Sequence, residues 1–466
     1  MKLKIAIFLL AAVTFSCQMQ LDELALSPNG NNGNSSAPGL SQNSNSGGII
    51  SNEVLIKFKS GIPESGKLAA LKAISGTIQE QIITQEMKDE GDEGFYVVKT
   101  NINAIEAINR ASGNSLIEII EPNQLYTHQQ TTTTPDDYFY GTGQLWGLNG
   151  TYGSNANVAW ANNNTGRSTV YVGIVDEGVM YNHPDLVNNM WTNPNEIVDG
   201  IDNDRNGYID DVRGWDFANN DASVYDGLST NNVDAHGTHV SGTIGGLGNN
   251  SIGVVGMNWN VKIIPTKFLG IGGGSTSNAI KAIDYLTNLK KNKKINIVAS
   301  NNSWGGGSYS KLLLAAIQRA DKVGILFIAA AGNAGSNIDS SPNYPASYIS
   351  QNVIAVSAID VNGLLTSWSN YGVKTVALGA PGDNIISTVP GPNGVGYAAY
   401  SGTSMATPHV TAAVALYAAK NYPTSTNQAA SQVIKKAIIN NTIATPSLSG
   451  KTSTGGRLNV GVVGFY

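Results

Sequence analysis

The chain is 466 residues long, 41% hydrophobic and 13% charged, with a formal net charge of -5. That length accommodates one large core and a smaller module, and the composition describes a well-buried globular protein whose surface is rich in Asn, Ser and Gly. A negative balance without a basic patch excludes nucleic acid as a partner.

Lys2 and Lys4 precede the apolar run IAIFLLAAVTF, which has the charged start and short core of an export signal and is too short for a membrane span. Cys17 is the only cysteine and follows that run, so no intrachain disulfide can form. The arrangement resembles a bacterial lipoprotein signal, which implies a signal peptide over 1–17 with Cys17 as the lipid-bearing first residue of the mature chain. That protein would be exported and membrane-anchored, at the outer membrane or cell surface. The alternative is an ordinary leader and an extracellular protein. Residues 27–48, SPNGNNGNSSAPGLSQNSNSGG, can bury almost nothing, so a flexible linker is expected over 18–51.

Residues 52–128 change character. EVLIKFK is strand-like, and Leu68, Leu71 and Ile74 recur at near-helical spacing. TIQEQII, FYVVKT, a helical INAIEAINRA and the strand LIEIIEP follow, a β-α-β-β-α-β order of ferredoxin-like α+β type. No cluster of His, Cys or acids suggests chemistry there, and an independent interaction domain is one reading. The polar THQQTTTTPDD makes 129–135 an accessible place to cut.

From 136 to 466, strands alternate with helices as in an α/β domain with a mostly parallel central sheet flanked by helices. TVYVGIVD is a buried strand ending at Asp176, where open α/β sheets place their active sites; a turn-forming Asp before Gly178 is the other reading. In NEIVDGIDNDRNGYIDDVRGWDF, Asp202, Asp204 and Asn206 alternate before Gly207, Tyr208 can offer a carbonyl, and Asp210 and Asp211 follow. Hard oxygen donors so spaced suit a structural calcium ion. Arg213 stands where an EF-hand carries its bidentate Glu, so the loop is EF-like and not an EF-hand.

DAHGTHVSGTIGG puts His236 and His239 at the start of a small-residue helix; without a third zinc ligand, His236 reads as a base. INIVASNNSWGGG is a strand running into an exposed edge at Ser303, Trp304, Gly305 and Gly306, able to pair with an extended peptide. GILFIAAAGNAG ends at Gly332 and Asn333, whose amide can donate to developing negative charge or simply form a turn. SGTSMATPHV sets Ser404 at the entry to an apolar helix with Pro408 in its first turn. A serine there meets unpaired backbone N–H groups; Ser is equally a preferred N-cap.

The blocks VGIVDEGV, DAHGTHVSG, NNSWGG, AAAGNAG and SGTSMATPHV stand in the order Asp, His, Asn, Ser, and over 136–466 the chain resembles the subtilisin family of serine peptidases. The resemblance implies a triad of Asp176, His236 and Ser404, with Asn333 and the Ser404 backbone N–H forming the oxyanion hole. Ser303, Trp304 and Gly305 would bind substrate backbone, with Gly332, Asn333 and Asn343 near the first specificity pocket. His183, His239 and His409 are expected to be structural. Ala406 ends the would-be Gly-x-Ser-x-Gly, which counts against an α/β-hydrolase esterase. The first module resembles the family's inhibitory propeptides, with IEPNQLY as its last strand. The implied function is a secreted or surface-anchored endopeptidase acting on proteins or peptides. It would be made as an autoinhibited precursor, inhibited by its own propeptide and cutting itself between about Tyr126 and Pro135. The alternative is a surface binding protein that keeps the fold without turnover.

Overall fold

The computed structural model describes residues 48–83, 85–89, 91–125, 134–227, 234–270, 272–391 and 394–466. The expected signal, Cys17, most of the linker and most of the processing segment lie outside the described residues. The chain divides into two units, Met1–Gln129 and Gln130–Tyr466. No helix among the described residues is long and apolar enough to cross a membrane.

The first unit runs β1 (Gly48–Phe58), α1 (Glu64–Ala73), β2 (Gly76–Ile82), α2 (Gln85–Asp89), β3 (Phe95–Thr100), α3 (Ala104–Ala111) and β4 (Ile117–Leu125). Its strands form an antiparallel sheet in the order β2-β3-β1-β4, the ferredoxin-like order, with α2 as an addition. β1 begins inside the segment that composition assigns to the linker, because Gly48 and Ile49 pair with Leu125 and Gln124. Asn103 caps α3 by accepting from Glu106 N at 2.8 Å. Val54, Ile56, Leu71, Ile74, Val98 and Ala107 make the core. Of the three residues at near-helical spacing, Leu71 and Ile74 are buried and Leu68 is exposed, since α1 turns Ala70 and Leu71 inward.

The second unit opens with short helices α4 (Tyr138–Gly141), α5 (Trp146–Asn149) and α6 (Ala156–Ala161). The sheet strands are β5 (Gly166–Asp176), β6 (Trp215–Asp216), β7 (Asn260–Lys267), β8 (Ile297–Asn302), β9 (Leu326–Ala330), β10 (Val353–Ile359) and β11 (Val376–Pro381). After the antiparallel pair β12 (Ile385–Val389) and β13 (Gly396–Tyr400) come β14 (Ile443–Ala444) and β15 (Gly456–Arg457). Among the described residues one sheet has the order β14-β15-β11-β10-β9-β8-β5-β7-β6, parallel throughout except at β14–β15.

Helices cover both faces. α7 (Ala235–Gly245), α10 (Thr403–Asn421) and α11 (Gln428–Asn440) share one core with Val172 and Ile174 of β5. α8 (Thr276–Lys293) and α9 (Lys311–Lys322) share the other with Val175. Burial on both faces is why the central strands read as continuous apolar runs without alternation.

Candidate active site

Because β5, β8 and β9 are adjacent and parallel, their carboxyl ends lie on one edge of the sheet. Asp176 ends β5, Ser303 follows β8 and Asn333 follows β9. The two remaining side chains come from helices that start at that edge, His236 from α7 and Ser404 from α10.

His236 Nδ1 and Asp176 Oδ1 are 2.9 Å apart, and the Asp176 carboxylate is fully buried. The same oxygen accepts from Glu177 N at 2.8 Å. α7 comes close to this loop because residue 237 is glycine: a Cβ there would stand 1.9 Å from Gly178 O. Burial pulls the His236 pKa down, but the adjoining Asp176 carboxylate and the Glu177 carboxylate outweigh it and hold the pKa above the ordinary histidine value.

α10 begins at Thr403, earlier than the apolar run suggests, so Pro408 lies inside the helix and not in its first turn. Pro408 has no N–H to give to the carbonyl of Ser404, four residues back. Ser303 fills the gap by donating its hydroxyl to Ser404 O at 2.8 Å. In return Ser404 Oγ donates to Ser303 O at 3.1 Å, and this bond, not one to His236, is the hydroxyl's contact in the resting site.

Asn333 Oδ1 accepts from Thr403 N and from Thr403 Oγ1, both at 2.9 Å. With its oxygen engaged, Asn333 leaves Nδ2 to the site. Ser404 N belongs to the first turn of α10, where the helix offers it no acceptor. The two donors converge: an atom at the Cβ position of Gly402 would lie 3.5 Å from each.

Of the expected substrate-binding residues, Ser303 is buried, and Trp304 packs edge-on against Phe268, with ring centroids 4.9 Å apart. Gly305 is exposed, and Gly306 and Gly307 pair with Tyr344, so one side of this segment is already hydrogen-bonded. Asn343 Nδ2 donates to Ala331 O at 3.0 Å, and Cβ atoms at Gly305 and Gly332 would meet that amide at 3.2 and 2.6 Å. Asn370, which carries no motif, fixes the same loop by accepting from Ala334 N and Ser336 N and donating to Ala331 O.

The other histidines among the described residues are bonded elsewhere. His239 stacks on Tyr400 and bonds Ile385 O at 2.9 Å, His409 bonds Met405 O at 2.9 Å, and His183 accepts from Asp185 N at 3.1 Å. Burial pushes His239 down to about 3 and His409 down to about 4.

The acidic loop differs from the expected ligand set. Asp202 and Asp204 meet Glu196, with ligand oxygens all within 4.8 Å. Asp210 turns away to accept from Asp199 N and Gly200 N at 3.0 Å. Asp211 accepts from Tyr285 Oη, Asn206 Nδ2 and Asn193 Nδ2, and Asn206 Oδ1 accepts from Tyr208 N. Asn206, Asp210 and Asp211 are engaged by the protein itself, as is Asp202, whose oxygens accept from Asn206 N and Gly207 N at 3.0 and 2.8 Å, and the Tyr208 ring packs against Trp215. Glu196 Oε2 and Asp204 Oδ1 are buried without hydrogen-bond partners, and carboxylate oxygens left so fit a hard cation. Lys293 Nζ stands 3.4 Å from Asp204 Oδ1. Glu196 precedes the alternating acids, and no spacing rule pointed to it.

Residues 167–459 match the subtilase family, and the chain belongs to it. Residues 35–123 match the fervidolysin N-terminal prodomain, so within that class the chain is a subtilisin-like serine protease with a prodomain. It is 34% identical over 376 residues to a thermophilic serine proteinase of Bacillus sp. (strain AK1), covering 80% of this chain and 79% of that protein. It is 31% identical over 391 residues to an extracellular basic protease of Dichelobacter nodosus, covering 78% of this chain and 62% of the relative. A solved protease from Pseudoalteromonas arctica PAMC 21717 is similar with a TM-score of 0.55 at 27% identity, over 70% of this chain and 97% of that one.

Proposed function

We propose that this chain is an exported serine endopeptidase in which Ser404 attacks the scissile carbonyl, His236 takes its proton and Asp176 holds the imidazole. The observation that carries the reading is the 2.9 Å contact of His236 Nδ1 with the buried Asp176 carboxylate, on the sheet edge where Ser404 heads α10. With Nδ1–H donated to Asp176, Nε2 is left as the acceptor. The Ser404 hydroxyl must leave Ser303 O and turn to that nitrogen, after which the tetrahedral oxyanion is met by Asn333 Nδ2 and Ser404 N. One such donor contributes roughly 2.7–4 kcal/mol to the transition state. Only the neutral imidazole is a base, so turnover falls as pH drops through the His236 pKa, which lies above the ordinary value of about 6.5.

The precursor reading is a signal over 1–17 with lipidated Cys17, a linker ending where β1 begins at Gly48, an inhibitory prodomain from there to 128, a processing segment over 129–135 and a peptidase domain over 136–466. Self-cleavage between about Tyr126 and Pro135 would leave Asp136 and Asp137 on the peptidase. Both are anchored there, Asp136 to Ser251 N at 2.9 Å and Asp137 to Asn249 N at 2.8 Å. Export is supported by the leader and by relatives named as extracellular proteases. Glu196, Asp202 and Asp204 would hold a calcium ion, which would supply positive charge to the loop and take no part in bond cleavage.

The test is Ser404→Ala. It should accumulate as full-length precursor and take no fluorophosphonate label, whereas the wild-type protein is processed and labelled on Ser404. Normal self-processing by the variant would overturn the reading.

A further inference from the structure

We infer that Glu177 is a positioning residue for the proton acceptor: its side chain, projecting from the end of β5, caps α7 and fixes the backbone of His236 against Asp176. The inference rests on the reading of His236 as the base.

A helix start leaves its first N–H groups without partners. At the head of α7, Asp234 does not supply the cap: it sits in the left-handed region at φ 71°, and its side chain makes no capping bond. That carboxylate is drawn to Lys267 Nζ and to Asp226 N instead. Glu177 takes over from a different element, its Oε1 accepting from His236 N at 2.6 Å. A carboxylate at a helix N-terminus is also favoured by the helix dipole.

Glu177 is tied at two further points. Its N–H donates to Asp176 Oδ1 at 2.8 Å, and its carbonyl accepts from the buried Lys267 ammonium. One residue thus grips the triad acid through its amide, the histidine through its carboxylate and the end of β7 through its carbonyl. The His236–Asp176 contact is fixed from both sides, the ring by Asp176 and the main chain by Glu177.

The same carboxylate adds charge. The titratable groups facing His236 and Glu177 are Asp176 from β5, Asp234 at the head of α7, Lys267 at the end of β7, Asp226 before α7 and His239 one turn along α7. Lys267 is engaged by Asp234 and, at 3.0 Å, by Asp226, so it does not neutralise Glu177. Ionised Glu177 therefore favours the imidazolium form of His236. Burial and the neighbouring Asp176 push the Glu177 carboxyl itself above the usual carboxylate range.

Two substitutions separate position from charge. Glu177→Gln keeps an acceptor oxygen for His236 N and removes the charge; Glu177→Ala removes both. The pH profile of kcat/KM on a chromogenic peptide, and the rate of fluorophosphonate labelling against pH, are measured on processed enzyme. Glu177→Gln should move the acid limb to lower pH with plateau kcat within about threefold, while Glu177→Ala should also lower plateau kcat by about tenfold. A plateau kcat in Glu177→Ala equal to that in Glu177→Gln overturns the positioning role, even if the melting temperature falls, since a merely structural residue would lower stability alone; an acid limb unmoved in Glu177→Gln overturns the charge effect. Glu177→Leu, close in size and without an acceptor, replaces the alanine variant if that does not accumulate, and is read against Glu177→Gln in the same way. His236→Ala runs alongside: activity retained there would sink the base assignment itself, a failure distinct from an unmoved acid limb.

Discussion

Replacing Gly237 by Ala tests the site geometry because two effects of opposite sign compete. In an ordinary helix interior Ala is preferred over Gly by about 1 kcal/mol, so helix propensity alone predicts a stabilised protein. Here the new Cβ would stand 1.9 Å from Gly178 O and 3.0 Å from Gly178 C, both backbone atoms that cannot rotate aside. Relief to a normal contact requires α7 and the 176–178 loop to separate by roughly 1.5 Å. Overpacking of this kind costs about 1–3 kcal/mol, which cancels or exceeds the propensity gain. The same displacement opens the 2.9 Å His236–Asp176 contact beyond hydrogen-bonding reach, and a misplacement of about 1 Å can cost about 100-fold in rate. Chromogenic peptide hydrolysis by the processed variant, with a thermal melt, should show kcat down by about two orders of magnitude and no gain in Tm. A variant that melts higher than wild type and keeps kcat within threefold would refute the close approach of α7 to Gly178.

Three further outcomes are expected. Ser303→Ala should lower stability by about 1–3 kcal/mol by leaving Ser404 O unsatisfied, and less in a Pro408→Ala background, where residue 408 regains an N–H; equal costs in both backgrounds would contradict the compensation. His409, depressed to about 4 by burial, contributes stability that is present above pH 6.5 and lost as pH falls toward 4. Denaturant melts should therefore weaken by about 2–3 kcal/mol from this residue between pH 7 and 4.5, and His409→Gln should flatten that slope. Chelation should lower the melting temperature of wild-type protein but not of Glu196→Gln, with an identical response in the two arguing against an ion at that loop.

The central strands were legible because burial on both faces writes them as short apolar runs with polar residues at the carboxyl ends. Asp176, Ser303 and Asn333 could therefore be placed at strand ends before any packing was known. The start of α10 was not legible. Its first turn is polar and small, and the proline that looks like a start signal is tolerated inside the helix because a hydroxyl from beyond β8 replaces the missing N–H. Glu196 was hidden for a similar reason: alternation singles out Asp202 and Asp204, whereas their third partner is fixed by a turn earlier in the chain. Asp210 continues the alternation and Asp211 follows it, but Asp210 is engaged by backbone amides outside the cluster and Asp211 by Tyr285, Asn206 and Asn193. Glu177 stood in plain view inside VGIVDEGV, yet its partner is a backbone N–H contributed by another element, which no side-chain pattern encodes.

The order of strands along the sheet has a kinetic consequence. The proposed catalytic groups come from one strand end and two helix starts whose chain positions run from Asp176 to Ser404, and β5 finds β8 only after β7 and α8 have been made. Such high contact order makes assembly slow, since distant loops must close before their contacts stabilise anything. A half-folded molecule, with β5 and α7 formed but α10 not yet docked, would hold an acid and an imidazole with no alcohol to activate. It would be unable to digest its neighbours until the last helix arrived.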